Sequence, residues 1–173
     1  MREITNPRTG QRMRFLLTAD DTDGELLRIE TVNPPSATFE PLHVHPRQVT
    51  SAEVLSGALT FVVDGERRTV AAGEKITIPA NVPHAFCNDG DIDAVAIQEA
   101  RPALTLAEFF ETYFGLAERG ELDEHGNPSL LRVAAMGPRF ADDIRMVRPP
   151  WVLQRVLFAM LGPLARVRGY DAA

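Results

Sequence analysis

Between residues 53 and 99 the chain cannot run far in one direction. Asp64-Gly65, Ala72-Gly73, Pro79-Ala80-Asn81 and Asn88-Asp89-Gly90 interrupt it roughly every six to ten residues, and the stretches between are short runs of strand-forming side chains. This predicts strands over 53–63 (broken at Ser56-Gly57), 67–71, 75–78, 82–87 and 93–99. Asp64-Gly65 is a two-residue hairpin signal. Upstream, 12–18 and 25–32 predict two further strands, the second ended by Asn33-Pro34-Pro35, because proline cannot donate to a ladder. Many short strands with frequent turns close on themselves as an antiparallel sandwich or small barrel, so the fold class is mainly β.

Residues 1–11 read as a loose lead-in with Asn6-Pro7 and Thr9-Gly10 as turn signals, and 12–103 as the β-barrel domain. At Arg101-Pro102 the pattern changes, and 104–173 read as a helical C-terminal extension. Thr105 with Glu108 forms a capping box, and Leu106, Phe109, Phe110, Tyr113, Phe114 and Ala117 follow helical spacing. Asn127-Pro128 predicts the start of a second helix running to about Ala135, residues 139–146 a short third, and Pro149-Pro150 a fourth that kinks or stops at Gly162-Pro163. The apolar side of this extension must be covered. The expected cover is the outside of the barrel or a homodimer interface; a lid over a pocket, or an interfacial membrane attachment supported by Arg148, Arg155, Arg166 and Arg168, is the other reading.

Composition narrows the function classes. With 18 basic and 24 acidic residues the net charge is −6, which argues against nucleic acid as a partner. One cysteine, Cys87, excludes an internal disulfide framework and suits a reducing compartment. Residues 1–10 are polar, so no secretion signal is expected, and no apolar run is long enough to span a membrane. The expected location is the cytoplasm.

Three of the four histidines fall in two clusters, His43-Val44-His45 and Pro83-His84. Side chains at i and i+2 of a strand share a face, so His43 and His45 can aim at one point that His84 reaches from another strand. Burying three imidazoles together is costly unless something uses their lone pairs, and a divalent cation does. Gln48 could add an amide oxygen as a ligand, or stand behind the site as a donor. Phe86 shares the parity of His84 and is expected to line a cavity with Phe39, Phe61 and Val54; Thr50 is expected in its wall. Gln98 or Glu99 faces inward, parity leaving open which. Cys87 should point away from His84, and Glu53 away from the interior. Asn88 should close a turn, and His125, in a charged loop, should be exposed. Arg47 is either a surface residue or a contact for an anionic substrate.

The stretch from Gly73 through Pro79, Asn81 and His84 to Asn88 resembles the second motif of the cupin superfamily: G, five residues, P, x, G, two residues, H, three residues, N. Asn81 stands where the motif has its inner glycine, and asparagine tolerates the left-handed backbone such a turn needs. His43-Val44-His45 followed by Gly57 resembles the first motif. The resemblance covers roughly residues 35–100 and implies an antiparallel jelly-roll barrel holding a metal on His43, His45 and His84. The glutamate that cupins usually add in the first motif is absent; Thr50 occupies its slot. A site of imidazoles alone suits zinc, iron, nickel or copper more than manganese.

By this resemblance, the expected function is metal-assisted chemistry, dioxygenation above all, on a small and largely apolar aromatic or enol-bearing compound. No side chain is an obvious general base, so no catalytic residue is assigned. The alternative is a non-catalytic module binding a small ligand, with or without metal. A sugar isomerase or epimerase ranks last, because few inward polar groups are on offer.

Overall fold

A computed structural model describes residues 2–170; Met1 and the end of the extension, 171–173, lie outside the described residues. The first sheet contains β1 (Arg2–Thr5), β2 (Arg12–Leu17), β3 (Leu27–Asn33), β5 (Val49–Ser56), β8 (Lys75–Ile78) and β10 (Ala94–Arg101), in the order β1-β2-β3-β10-β5-β8. The second contains β4 (His43–Val44), β6 (Ala58–Val63), β7 (Glu66–Ala71), β9 (His84–Cys87) and β11 (Arg145–Met146), in the order β11-β4-β9-β6-β7. All pairings are antiparallel. Together they make the expected jelly-roll barrel.

Alternation sets which side chains face inward. In β3 every second residue from Leu27 to Asn33 is buried, and in β5 Ala52 and Val54 are buried while Glu53 is exposed. Ala52, Val54, Leu59, Phe61, Val70, Ile76, Ile78, Ala94 and Ala96 fill the space between the sheets. Removing such side chains from water drives closure, at about 1.5–3 kcal/mol for each large one. Gly57 makes the β5–β6 corner at φ +72°, and Asp64 and Gly65 turn β6 into β7 with positive φ at both. Asn81 takes φ +64°, as its place in the motif requires.

The N-terminal stretch is not loose: β1 pairs with β2 from Arg2↔Phe15 to Thr5↔Arg12, and Arg2 ion-pairs with Glu111. Residues 7–9 do turn, and the edge of β2 offers free backbone groups that a short polar strand satisfies.

Three helices follow: α1 (Leu106–Glu118), α2 (Leu130–Met136) and α3 (Trp151–Val167). The capping box does not form. The Thr105 hydroxyl instead donates to the buried Asp143 carboxylate, Oδ2 at 2.5 Å, a charge-assisted bond, and Glu108 pairs with Arg139 on the surface. α2 starts at Ser129, whose hydroxyl accepts from Arg132 N, and not at Asn127-Pro128. Asn127 is held back by Asp123, which accepts from its backbone N–H at 2.8 Å. The short helix expected over 139–146 is replaced by turns and β11, since pairing with the open edge of β4 outweighs local propensity. α3 runs through Gly162-Pro163 without stopping, with Gly162 buried beside α2.

The helices do not simply lean on the outside of the barrel. Leu106 and Phe114 of α1 pack with Met13, Phe15, Leu27, Ile29 and Ala100, and β11 adds a strand to the second sheet. The extension packs on barrel side chains and supplies part of the wall of the cavity inside them.

Candidate metal centre

β4 and β9 place the histidines. His43 stands opposite His84 in the register, with ring centroids 4.5 Å apart. His45 lies just past β4, its ring 5.1 Å from His43 and 5.2 Å from His84. The backbone carbonyl of His45 accepts from Asn81 N at 2.8 Å, so the turn of the second motif holds the end of the first. All three are buried, and one ring nitrogen from each lies within 4.8 Å of the others.

Their second nitrogens explain the orientation. His43 Nδ1 is 2.9 Å from Pro41 O, His84 Nδ1 is 2.8 Å from Val82 O, and His45 Nδ1 is 2.6 Å from Asp143 O. A carbonyl oxygen only accepts, so each Nδ1 carries the proton and each Nε2 keeps a lone pair. Burial holds the rings neutral. Desolvation, helped by the neighbouring imidazoles, lowers the pKa of His43 to about 3; desolvation and then His84 lower that of His45 to about 4; burial also lowers that of His84. Neutral, Nδ1-anchored imidazoles are what a divalent metal binds.

Gln48 is fully buried. Its Nε2 donates to Pro102 O and Ala103 O, both at 3.0 Å, while Oε1 has no hydrogen-bond partner. The side chain interacts with His45 in the sense that favours a positive ring. The three free Nε2 lone pairs could hold a cation, and Gln48, which contacts His45, carries a buried oxygen without a partner.

The histidines open onto a cavity of about 480 Å³ lined by Phe39, Phe61, Phe86 and Thr50, and also by Phe109, Phe110 and Tyr113 of α1 and Trp151 and Phe158 of α3. Phe61 and Phe86 lie 5.5 Å apart. Val54 does not line it; wholly buried, it belongs to the packed core on the far side of β5 from Glu53. Gln98 shares the parity of buried Ala96 and Ala100 and faces the cavity, whereas Glu99 meets Arg28, Lys75 and Arg101 outside. Arg47 is on the surface with Asp142. Cys87 is a free, buried thiol whose pKa is raised, mainly by desolvation. Asn88 closes its turn by donating to Asn33 O and Ile92 O. His125 is exposed.

Sequence reasoning missed two groups. Glu40 lies in the cavity with its Oε1 3.8 Å from His43 Nδ1. A third of its side chain is open to the cavity, yet protein surrounds it, and desolvation pushes its pKa up to about 8 against a hydrogen bond from Phe86. Its position three residues before His43 was the available signal. Asp143 is the other: nothing local to it says that its carbonyl meets a histidine 98 residues earlier.

Residues 29–98 match the family described as cupin domain. The chain is 30% identical over 77 residues to quercetin 2,3-dioxygenase of Bacillus subtilis (strain 168), covering 44% of this chain but only 23% of that protein's length. Among solved structures, it resembles a predicted oxalate decarboxylase of Thermotoga maritima at a TM-score of 0.52 and 21% identity, over 58% of this chain and 90% of that one. An RmlC-like cupin of Shewanella frigidimarina aligns at 0.49 and 22%, over 58% and 83%. No helix among the described residues is long and apolar enough to cross a membrane. The matched segment runs from β3 into β10 and so takes in the strands that carry the histidines: residues 29–98 of this chain match the cupin domain family, on a fold that the solved cupin structures share.

Proposed function

We propose that this chain is a metal-dependent cupin enzyme acting on a small, largely apolar aromatic or enol-bearing compound, with dioxygenation as the favoured reaction. The observation that carries it is the set of three Nδ1–carbonyl anchors, which leave three Nε2 lone pairs facing an apolar cavity. His43, His45 and His84 would hold the metal, with Gln48 Oε1 as a further oxygen donor. Zinc, iron, nickel and copper all suit imidazole, and the redox-active ones supply dioxygen chemistry when bound. The Phe61–Phe86 pair and the α1 aromatics hold a flat ring and exclude water. Glu40 lies on the cavity wall beside His43, where its carboxyl group can hydrogen-bond a substrate oxygen. The name of the Bacillus relative supports a flavonol-like substrate.

The test is anaerobic iron loading of untagged protein followed by oxygen uptake with flavonols and catechols. Uptake that His84→Ala abolishes is expected; none with iron, copper or nickel removes the oxygenase reading. Thr50 in the glutamate slot favours a second reading, a small-ligand binding module. Substoichiometric metal, with a melting temperature unmoved by chelator, would select it, because metal bound only by the folded state must stabilise it.

A further inference from the structure

α3 packs one side against α2 and leaves the other uncovered. Its inner side carries buried Gln154, Gly162 and Ala165, and Gln154 Nε2 donates to Met146 O and Pro149 O. On its outer side Val152, Leu153, Val156, Met160, Leu164 and Val167 are between 44% and 84% exposed. At about 100° per residue these six share one continuous arc. Arg155 and Arg166 border that arc on one side, and Arg168 follows it on the other; all three are exposed. From Val147 to Tyr170 there is no Asp or Glu, although acids outnumber bases in the chain, 24 to 18.

We propose that the outer face of α3 docks this protein onto an anionic lipid bilayer. An apolar arc bordered by arginines, on a helix lying flat, matches an interface in which apolar side chains enter the acyl boundary and guanidinium groups reach phosphates. The charge pattern decides between occupants. A second copy docked antiparallel through this arc would oppose Arg155 and Arg166 to the same arginines, and one docked parallel would give them no acidic partner. A lipid headgroup supplies the missing negative charge. The helix is about 25 Å long and lies along the surface of its own domain, so it attaches without spanning. The cavity, walled partly by Trp151 and Phe158 of the same helix, would then sit next to the bilayer, where apolar compounds concentrate.

The test is co-sedimentation of the full chain with vesicles of phosphatidylcholine alone, or with about one-third phosphatidylglycerol. Binding to the anionic vesicles, weakened by salt, is expected. Arg155→Gln with Arg166→Gln should weaken it about fivefold per arginine. Val156→Asp with Met160→Asp should abolish it, with the far-ultraviolet circular dichroism of the fold retained; both positions are solvent-exposed, so folding does not need them. No pelleting with either vesicle overturns the proposal. So does a concentration-dependent dimer in sedimentation velocity that the double aspartate variant dissolves, which would assign the face to a second copy.

Discussion

Asp143 holds His45 across the boundary between barrel and helices. Its carbonyl accepts from His45 Nδ1 at 2.6 Å, and its carboxylate takes the Thr105 backbone N–H at 2.9 Å and the Thr105 hydroxyl at 2.5 Å. The helical extension therefore fixes the tautomer of a candidate ligand. Thr105→Val removes one donor from a carboxylate that is 1% exposed, a loss of about 1–3 kcal/mol of stability. With the Asp143 segment loosened, metal affinity should fall about 10- to 100-fold. Competition calorimetry with zinc on folded wild-type and variant protein measures this; equal affinities would detach the extension from the site.

The metal-free protein should have a stability maximum near neutral pH. His43 and His45 have pKa values lowered to about 3 and 4, so the folded state binds fewer protons than the unfolded chain below the usual value of 6.5. Their contribution is present above 6.5 and is lost as pH falls toward 4 and 3, at up to about 1.4 kcal/mol per pH unit for each ring. Glu40 acts in the opposite sense. Its pKa is raised from 4.5 to about 8, so the stability of its protonated form is lost as pH rises through that window. Chelator-treated protein should melt highest near pH 6.5, and Glu40→Gln should flatten the limb above that pH and steepen the one below it, since the Glu40 window of 4.5 to about 8 spans both. Thermal melts from pH 4 to 9 check both limbs.

These groups also show what could be read without coordinates. The barrel was legible because turn residues and strand parity are local, and so were His43, His45 and His84, whose spacing states a shared face. Thr50 and Phe86 followed from the same parity. Asp143 was not legible, since its role depends on a contact spanning 98 residues. Nor was β11, a two-residue strand whose only reason to exist is the free edge of β4. The helix starts failed where tertiary acceptors competed: Asp143 took Thr105, and Asp123 took Asn127. Glu40 was overlooked although it precedes His43 by three residues, because it sits among Phe39 and Pro41 outside any strand.

Gly57 should be irreplaceable for geometric reasons. It sits at φ +72°, and a Cβ there would lie 2.9 Å from Asp93 O and 3.0 Å from Ala94 Cα. Both atoms are backbone and cannot swing aside. Gly57→Ala should cost about 2–4 kcal/mol through left-handed strain and overlap. Urea unfolding of the metal-free protein measures it, and a loss under 1 kcal/mol would mean that the β5–β6 corner relaxes.

Thr50 offers a direct test of which donor set this barrel accepts. It lies on β5 with the inward parity of Ala52 and Val54, is half-buried, and lines the cavity that the histidines face. A carboxylate there would offset part of a dication's charge and add a hard oxygen to three imidazoles. Thr50→Glu should therefore raise affinity for manganese relative to zinc by tenfold or more, the preference that three histidines and an amide oxygen lack. In the metal-free variant the new carboxyl would be desolvated and unpaired, so it should lower the melting temperature, and added manganese should restore it. Melting curves with and without each metal separate the two effects. If the variant is destabilised and no metal restores it, position 50 does not reach the point where the imidazoles converge, and the site has three protein ligands at most beyond Gln48.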